Sequence, residues 1–260
     1  MIASVAFRNY KALRGARLAL QPFNLVIGPN GSGKTSLLEA VLRLRDLAVT
    51  KARAGLGRHR ASPAGSPELV FRFNPPYARL RARLRCVGEG TCDVLEITPG
   101  RAHGWAALRR GLTAIRGYHF DHHAMYQPGA RTDGAELDAN GGNLAAVLHC
   151  LRAEQPAAFA RLEAELVRIV PEFGGIAFSA PSRTTIEFAL RLADNSELVP
   201  AENLSQGTLY LLAMLSLVYD PTPPPVICLE EIDRGVHPRL LREVRDHLYR
   251  LSYPASFGEK

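Results

Sequence analysis

Apolar residues recur along the chain in patterns that predict alternating strands and helices. Ile2 to Phe7 and, more weakly, Arg17 to Leu20 are rich in residues that favour strands. The apolar run Asn24 to Ile27 ends at a glycine and is interpreted as a buried strand. Leucine and valine then recur at helical spacing from Gly33 to Ala48. The N-terminal part is therefore predicted to contain three strands, a glycine-rich loop and a helix.

The middle of the chain has a weaker pattern. Residues 50–67 are rich in alanine and glycine, and they predict a mobile loop. Residues 121–140 have no clear period and predict irregular structure. The remaining pattern predicts, in order, strands near 68–73, 79–87, 92–98 and 113–120, helices over Leu144 to Leu151 and Phe159 to Val170, and strands near 176–179 and 184–192.

The C-terminal part has the sharpest pattern. Gln206 to Tyr219 is apolar on nearly all sides, which predicts a buried helix. Val226 to Leu229 predicts a short buried strand, and Pro238 to Leu251 predicts an amphipathic helix. Because strands and helices alternate along the chain, the predicted fold class is α/β.

Composition places the chain among ordinary globular proteins and gives it a basic surface. Its 260 residues are 47% hydrophobic and 22% charged, values that exclude a disordered or collagen-like chain. The formal net charge is +7, and most of the basic residues are arginine. Because guanidinium groups pair well with phosphate and carboxylate, an anionic partner is favoured.

The cysteines and the apolar runs indicate a cytoplasmic protein without a membrane partner. Cys86, Cys92, Cys150 and Cys228 lack the spacing of metal ligands, and we interpret them as reduced core thiols. The longest apolar run, Leu209 to Tyr219, is shorter than the roughly 20 residues that a spanning helix needs.

The strongest chemical signal is a phosphate-binding loop. The pattern G-x-x-x-x-G-K-[ST] is matched by Gly28-Pro29-Asn30-Gly31-Ser32-Gly33-Lys34-Thr35, between a predicted strand and a predicted helix. Glycines let the backbone N–H groups surround phosphate oxygens at the helix N-terminus. Lys34 is predicted to reach the β- and γ-phosphates, and the Thr35 hydroxyl is predicted to ligate Mg²⁺.

Two further motifs follow in the C-terminal part. The predicted strand Val226 to Leu229 ends in Glu230 and Glu231, which predict an Mg²⁺ ligand and a base that polarises the attacking water. Ser205 is a good N-cap for the buried helix, where its hydroxyl and the Gly207 N–H could bind an anion. Taken alone, solvated acids at a strand end and simple helix capping remain alternatives for these two motifs.

The order of the three motifs resembles that of the ABC-type AAA family ATPases of prokaryotes, the RecF/SMC/OLD-like group. The opening Phe7 to Lys11 resembles that family's first strand and turn. Asp138 to Leu148 is similar to the start of its middle-lobe helix, and Glu230 to Pro238 resembles its acid-pair and D-loop segment. The likeness covers both ends of the chain well and residues 50–135 poorly.

The resemblance implies an ABC-ATPase-like P-loop NTPase head with a β-rich N-terminal part and an inserted helical lobe. It implies an ATPase core of residues 1–50 and 200–260, with residues 51–199 as the inserted lobe that carries further strands. It also implies a homodimer of face-to-face heads, in which Ser205 and Gly207 of one head complete the ATP site of the other.

The resemblance also assigns roles to single residues. Glu230 would bind Mg²⁺, Glu231 would be the catalytic base, and His237 would lie at the dimer seam, although a simple helix-start role for His237 is an equal alternative. The magnesium-sensing glutamine of the family stays unassigned, because the surroundings of Gln127 fit poorly.

The sequence departs from the family pattern in two places. The helix motif reads Leu-Ser-Gln-Gly-Thr where transporters have Leu-Ser-Gly-Gly-Gln. The family is also expected to have a strand after the last helix that ends in a histidine contacting the γ-phosphate, and no such segment follows Leu251. The expectation is a C-terminally incomplete head, in which hydrolysis is less secure than nucleotide binding.

Two weaker patterns each have a functional and a purely structural interpretation. Four arginines alternate with apolar residues and predict either a solvated strand face or a stripe that tracks DNA phosphates: Arg79, Arg81, Arg83 and Arg85. The cluster of His119, Asp121, His122 and His123 fits no common metal-ligand spacing, so a polar loop is favoured there.

Taken together, the sequence predicts an ATP- and Mg²⁺-dependent ATPase head that dimerises on ATP, in DNA repair or maintenance or in phage defence. The alternatives are an ATP-dependent binding switch with little turnover and, less favoured, a transporter motor subunit.

Overall fold

The structure is a computed structural model that describes residues 1–50, 65–86, 92–99, 104–132, 134–234 and 236–253. Most of the loop predicted at 50–67 therefore lies outside the described residues.

The described chain alternates between strands and helices, as the sequence predicts. The strands are β1 (Ile2–Arg8), β2 (Arg17–Ala19), β3 (Glu68–Phe73), β4 (Arg81–Cys86), β5 (Cys92–Thr98), β6 (Arg116–Tyr118), β7 (Gly129–Ala130), β8 (Phe173–Ser179), β9 (Thr185–Leu192), β10 (Leu198–Pro200) and β11 (Ile227–Leu229). The helices are α1 (Lys34–Val49), α2 (Trp105–Thr113), α3 (His122–Met125), α4 (Leu144–Glu154), α5 (Pro156–Ile169), α6 (Gln206–Val218) and α7 (Pro238–Ser252), with a 3₁₀ turn at Ala201–Asn203.

The chain divides into two compact units. The first comprises Met1–Gly117 and Pro224–Cys228, and the second comprises Tyr118–Pro223 and Leu229–Lys260. The boundaries of these units differ from the predicted boundaries near residues 50 and 200. The division into an ATPase core and an inserted lobe therefore stays a prediction.

An antiparallel sheet forms the centre of the first unit. Its strand order is β2-β1-β3-β4-β5. On β4, Ala82, Leu84 and Cys86 are buried, while Arg81 and Arg83 are exposed, because successive side chains of a strand point to opposite faces. Helix α1 contributes leucines and valine at helical spacing to the same apolar core.

The second unit combines a small sheet with three packed helices. Strand β9 pairs with β8, β10 and β7, all antiparallel. Helix α6 is buried over nearly its whole length, from Gly207 to Leu217, as its all-round apolar sequence predicts. Helices α4 and α5 pack against each other and against this sheet. Helix α6 contacts α3, the short helix that follows β6.

Strands β6 and β11 form a separate two-stranded pairing. Arg116 N donates to Val226 O at 3.0 Å at one end of the pair, and Glu230 N donates to Tyr118 O at 3.0 Å at the other. The pairing fixes where the two strands end, and this determines which side chains lie next to the acid pair.

The prediction of a buried strand at Asn24 to Ile27 is wrong. No strand is formed there, and the side chains of Leu25, Val26 and Ile27 are 64%, 43% and 83% exposed. A run of apolar residues favours burial, but a strand also needs a neighbouring backbone that supplies hydrogen-bond partners. None of the described sheets includes these residues.

The prediction of four reduced cysteines is wrong for one pair. Cys86 and Cys92 form a disulfide, whereas Cys150 and Cys228 are free and buried. The two bonded cysteines face each other in the register of β4 and β5, a cross-strand proximity that sequence spacing does not reveal.

Two smaller differences are an additional helix and a later start of one strand. Helix α2 occupies the region just before β6, where no helix is predicted, and β4 begins at Arg81 rather than Arg79. Arg79 instead lies in the turn that precedes β4.

Candidate functional site

The predicted phosphate loop is a tight turn that leads directly into α1. Ser32 N donates to Pro29 O at 3.2 Å, which closes the turn. The first residue of α1, Lys34, folds its side chain back over the turn. Its Nζ donates to Gly28 O at 2.7 Å and to Pro29 O at 2.9 Å. The ammonium group is therefore held over the loop, where a bound phosphate could replace the two carbonyl oxygens as its partner.

Glycine is required at specific positions of this loop. Gly31 and Gly33 have φ angles of 77° and 96°, a left-handed conformation that other residues rarely adopt. A Cβ on Gly33 would also lie 2.9 Å from side-chain atoms of Leu13. The loop backbone thus depends on the glycines that the motif specifies.

Within the described residues, no side chain caps the N-terminus of α1. Its N-cap, Gly33, offers no side chain, and the first turn contains no acidic residue. The leading N–H groups of a helix carry partial positive charge and favour an anion. Thr35 is exposed in this turn, so its hydroxyl is accessible to a metal ion that accompanies a phosphate. Among the motif residues, Pro29, Asn30 and Ser32 are exposed as well.

The predicted acid pair follows β11 directly. The side chain of Glu230 is 29% exposed and that of Glu231 is 55% exposed. Glu231 has a φ angle of 51°, which turns the backbone sharply after the strand. One carboxylate oxygen of Glu231 lies 3.2 Å from Nη1 of Arg234. Both carboxylates are therefore accessible, and one of them already has a cationic partner.

Sequence reasoning did not place His119 beside the acid pair. This residue follows β6, and its imidazole lies between the two acids, with Nδ1 3.8 Å from Glu230 Oε2 and Nε2 4.0 Å from Glu231 Oε2. The sequence did not indicate this position, because the strand predicted near 113–120 includes His119, whereas β6 ends at Tyr118. The pairing of β6 with β11 could not be inferred from the sequence.

Ser205 and Gly207 lie at the N-terminus of α6, as predicted. Ser205 Oγ accepts a hydrogen bond from Thr208 N at 3.1 Å and contacts Thr208 Oγ1 at 2.8 Å. The serine is exposed and the glycine is buried. The capping role is therefore observed, and the role of both residues in a nucleotide site stays a prediction.

The histidine cluster after β6 has a structural explanation in part. Asp121 caps α3 by accepting from Ala124 N at 3.0 Å, and this hydrogen bond chiefly lowers the pKa of its carboxyl. His122 Nε2 lies 3.4 Å from Leu204 O, beside the start of α6. The predicted polar loop is thus a one-turn helix that contacts the Ser205 segment.

Gln127 and His237 are engaged locally. The side chain of Gln127 donates to His123 O at 3.1 Å, within its own turn. The Nδ1 atom of His237 accepts from Arg239 N at 3.2 Å and caps α7. This contact agrees with the helix-start alternative for His237, and its place at a dimer seam stays a prediction.

The arginine stripe is partly neutralised by its neighbours. Arg83 Nε lies 2.9 Å from Glu68, and Arg85 Nε lies 3.2 Å from Glu96. These cross-strand ion pairs agree with a solvated sheet face, whereas contact with DNA phosphates stays a prediction.

The donor chemistry of the motif residues fits Mg²⁺. Glu230 and Glu231 supply carboxylate oxygens and Thr35 supplies a hydroxyl oxygen, and Mg²⁺ prefers oxygen ligands. The assignment of Glu230 and Thr35 to this ion stays a prediction.

Two family models match the ends of the chain that carry the motifs. Residues 1–56 match the AAA ATPase domain, and residues 143–256 match the family described as AAA domain, putative AbiEii toxin, Type IV TA system. The chain is 41% identical over 124 residues to the DNA replication and repair protein RecF of Thermomicrobium roseum. These matches support an AAA/ABC-type ATPase similar to RecF and OLD. Together with the mixed α/β secondary structure, the family matches confirm the predicted fold class, an α/β P-loop ATPase head.

Other relatives are more distant. The OLD nuclease of Thermus scotoductus is 27% identical over 111 residues. The SMC head domain from Thermotoga maritima is 17% identical, with a TM-score of 0.49 over 95% of this chain and 86% of that chain. The RecF match covers 46% of this chain and 30% of RecF, and the OLD match covers 38% and 20%. The chain thus matches less than a third of the length of these curated relatives.

Among the described residues, no helix combines the length and the apolar character needed to cross a bilayer. ATPase domains of this family bind nucleotide, so the prediction of a nucleotide-binding head is supported in general terms.

Proposed function

We propose that the chain binds ATP through Gly28 to Thr35 and hydrolyses it with Mg²⁺, as a head that pairs with a second copy. The observation that carries the proposal is the position of Lys34, whose ammonium spans the carbonyls of Gly28 and Pro29 at 2.7 and 2.9 Å. A cation held over a glycine-rich turn at a helix N-terminus suits the β- and γ-phosphates of a nucleotide.

The chemistry then follows from the residues in the motifs. On binding, Lys34 would exchange its two carbonyl partners for phosphate oxygens, and the loop N–H groups would donate to the same phosphates. Bound Mg²⁺ would neutralise charge on the β- and γ-phosphates, with Thr35 and Glu230 as its protein ligands. Glu231 would accept a proton from water as the water oxygen bonds to the γ-phosphorus and the bond to ADP breaks.

His119 is a positioning residue in this scheme. Its ring lies within 4.0 Å of both carboxylates, so it can restrict the rotamers of Glu230 and Glu231 without contacting the nucleotide. Orienting a base in this way contributes to catalysis because small displacements of reacting groups reduce the rate strongly.

The proposed biological setting is DNA maintenance. The RecF relative is described as a DNA replication and repair protein. In the proposed dimer, Ser205 and Gly207 of one copy complete the ATP site of the other, and the arginine stripe is the proposed DNA contact. Phage defence is an alternative setting, and a cytoplasmic location is part of the same proposal.

A variant of the proposed base tests hydrolysis separately from binding. Glu231→Gln should retain ATP affinity and lower phosphate release by about 100-fold or more, within the range typical of a general base. Glu172→Gln, at an exposed acid in the turn before β8, is the matched control and should leave turnover unchanged. Equal phosphate release by wild type and Glu231→Gln would remove Glu231 from the mechanism.

A binding switch with little turnover is the second candidate. It is favoured by the contact between Glu231 and Arg234 at 3.2 Å, because the guanidinium occupies a carboxylate oxygen that would otherwise be free to accept a proton from water. The wild-type protein would then bind ATP and release negligible phosphate, and Arg234→Ala would raise the release rate.

A further inference from the structure

A second candidate binding site lies in the unit that contains α4 and β8, away from the motifs described above. A cavity of about 390 Å³ is lined by side chains of both elements and of β9. Its volume is at the lower end of the range for small-molecule sites. The residues that characterise it are Arg131, His149, Arg152, Phe178, Ser179 and Ile186.

The side chains that line this cavity carry positive charge, from Arg131 and Arg152. Within the described residues, neither Arg131 nor Arg152 has a carboxylate at ion-pair distance. The carboxylate of nearby Glu154 accepts a hydrogen bond from Gly134 N at 3.1 Å instead. Burial lowers the pKa of His149, and the charges of Arg131 and Arg152 lower it further. Two guanidiniums that line one cavity favour an anionic ligand such as phosphate.

The wall of the cavity is aromatic and apolar. The guanidinium carbon of Arg152 lies 5.4 Å from the centre of the Phe178 ring. The centres of the His149 and Phe178 rings lie 5.5 Å apart. Ile186 is buried and supplies an apolar surface beside this ring. Flat rings next to a guanidinium form a surface on which a nucleobase can stack, as aromatic residues do in proteins that bind single strands.

We propose that this cavity binds a nucleotide unit, with its phosphate at Arg131 and Arg152 and its base beside Phe178. The same chemistry is offered by a free nucleoside monophosphate and by a nucleotide within a single-stranded nucleic acid. The proposal does not rest on ATP binding by Gly28 to Thr35, because all of its residues lie elsewhere in the chain.

The test uses the full chain with Lys34→Ala, so that the phosphate loop does not contribute. Deoxyadenosine monophosphate and a short single-stranded oligodeoxynucleotide are titrated separately, with deoxyadenosine as the ligand that lacks phosphate. Arg131→Ala and Arg152→Ala should each weaken binding by about tenfold, the effect of losing one charge-assisted contact. Arg161→Ala, at an exposed arginine on α5, is the matched control and should bind as the parent does.

The two sources are distinguished by which ligand binds. Arginine-dependent binding of the monophosphate supports a free nucleotide, and arginine-dependent binding of the oligonucleotide alone supports a nucleic acid. A shift of the His149 ring resonances on titration is the second readout, and it does not depend on any variant. The proposal is overturned if neither the monophosphate nor the oligonucleotide binds and neither shifts the His149 resonances. It is also overturned if Arg131→Ala and Arg152→Ala both bind these ligands as tightly as Arg161→Ala does.

Discussion

At the residue scale, the conformation of Gly33 makes a specific prediction about the phosphate loop. Gly33→Ala combines a left-handed φ of 96° with a Cβ contact of 2.9 Å to Leu13. Holding such a residue in place costs about 1–3 kcal/mol, so ATP affinity should fall by about tenfold or more. Calorimetric titration with ATP measures the change.

Two other glycines are the controls for this variant. Gly31→Ala has a positive φ of 77° but open space around its Cβ, so it should lose less affinity than Gly33→Ala. Gly15→Ala has open space and no left-handed φ, and it should bind ATP as the wild type does. Equal affinities for the three variants would contradict the proposed role of the loop conformation.

A second prediction at this scale concerns His119. His119→Ala should lower kcat by about tenfold and leave the ATP dissociation constant unchanged, because the imidazole lies beside the two acids and in the proposed scheme acts only through them. His119→Gln retains a polar group of similar reach and should restore part of the loss. Steady-state kinetics and equilibrium titration separate the two quantities, and a parallel fall in affinity would show that His119 has another role.

At the scale of elements, a partly buried polar cluster joins α5 to α7. His247 Nε2 lies 2.6 Å from Glu165 Oε1, and Arg168 bonds both Glu165 and Glu243. Glu165, Glu243 and His247 also have the spacing of a metal site. Because the Arg168 guanidinium already occupies both carboxylates, we interpret the cluster as an ionic connection between the helices.

This cluster predicts how stability depends on pH. The pKa of Glu165 is lowered, chiefly by its hydrogen bond to Arg168. The charged form therefore stabilises the folded state above the unfolded pKa of about 4.3, and the contribution is lost as the pH falls through the lowered pKa. Glu165→Gln should reduce the free energy of unfolding at neutral pH by about 1 kcal/mol, and the difference should vanish in strong acid.

Urea denaturation at neutral and acidic pH measures this difference. Glu172→Gln, which removes an exposed acid just beyond α5, is the control and should change stability little at either pH. A Glu165→Gln deficit that persists undiminished in acid would show that packing, and not charge, explains it.

Elements whose hydrophobic periodicity is clear within their own segment were predictable from the sequence. Features that depend on residues distant in the chain were not. Buried α6 and the alternating strand β4 follow from periodicity alone. The exposed run Leu25 to Ile27 has the same apolar character as a buried strand, but burial depends on a partner elsewhere in the chain. The same limit applies to the Cys86–Cys92 bond and to His119, because strand pairing brings their partners together.

At the scale of the whole molecule, the proposal predicts that ATP controls pairing of two copies. Glu231→Gln with ATP and Mg²⁺ should double its mass in light scattering, since blocked hydrolysis would keep the nucleotide in place. Adding Ser205→Arg should keep the protein monomeric, because Ser205 is exposed at the N-terminus of α6 and is the proposed contact with the other copy's nucleotide.

The control for pairing is Ser182→Arg, which adds the same charge at an exposed serine. It should pair as Glu231→Gln does. If Ser205→Arg and Ser182→Arg pair equally, or if ATP leaves the mass of Glu231→Gln unchanged, face-to-face pairing through the α6 motif is contradicted.

The central claim is that the turn from Gly28 to Thr35 binds the phosphates of ATP. Calorimetric titration of ATP into wild type, Lys34→Ala and Arg45→Ala tests it most directly, because Arg45 is a cation on the same helix outside the loop. The account predicts binding by wild type and Arg45→Ala and no measurable binding by Lys34→Ala. Full ATP affinity in Lys34→Ala would contradict it.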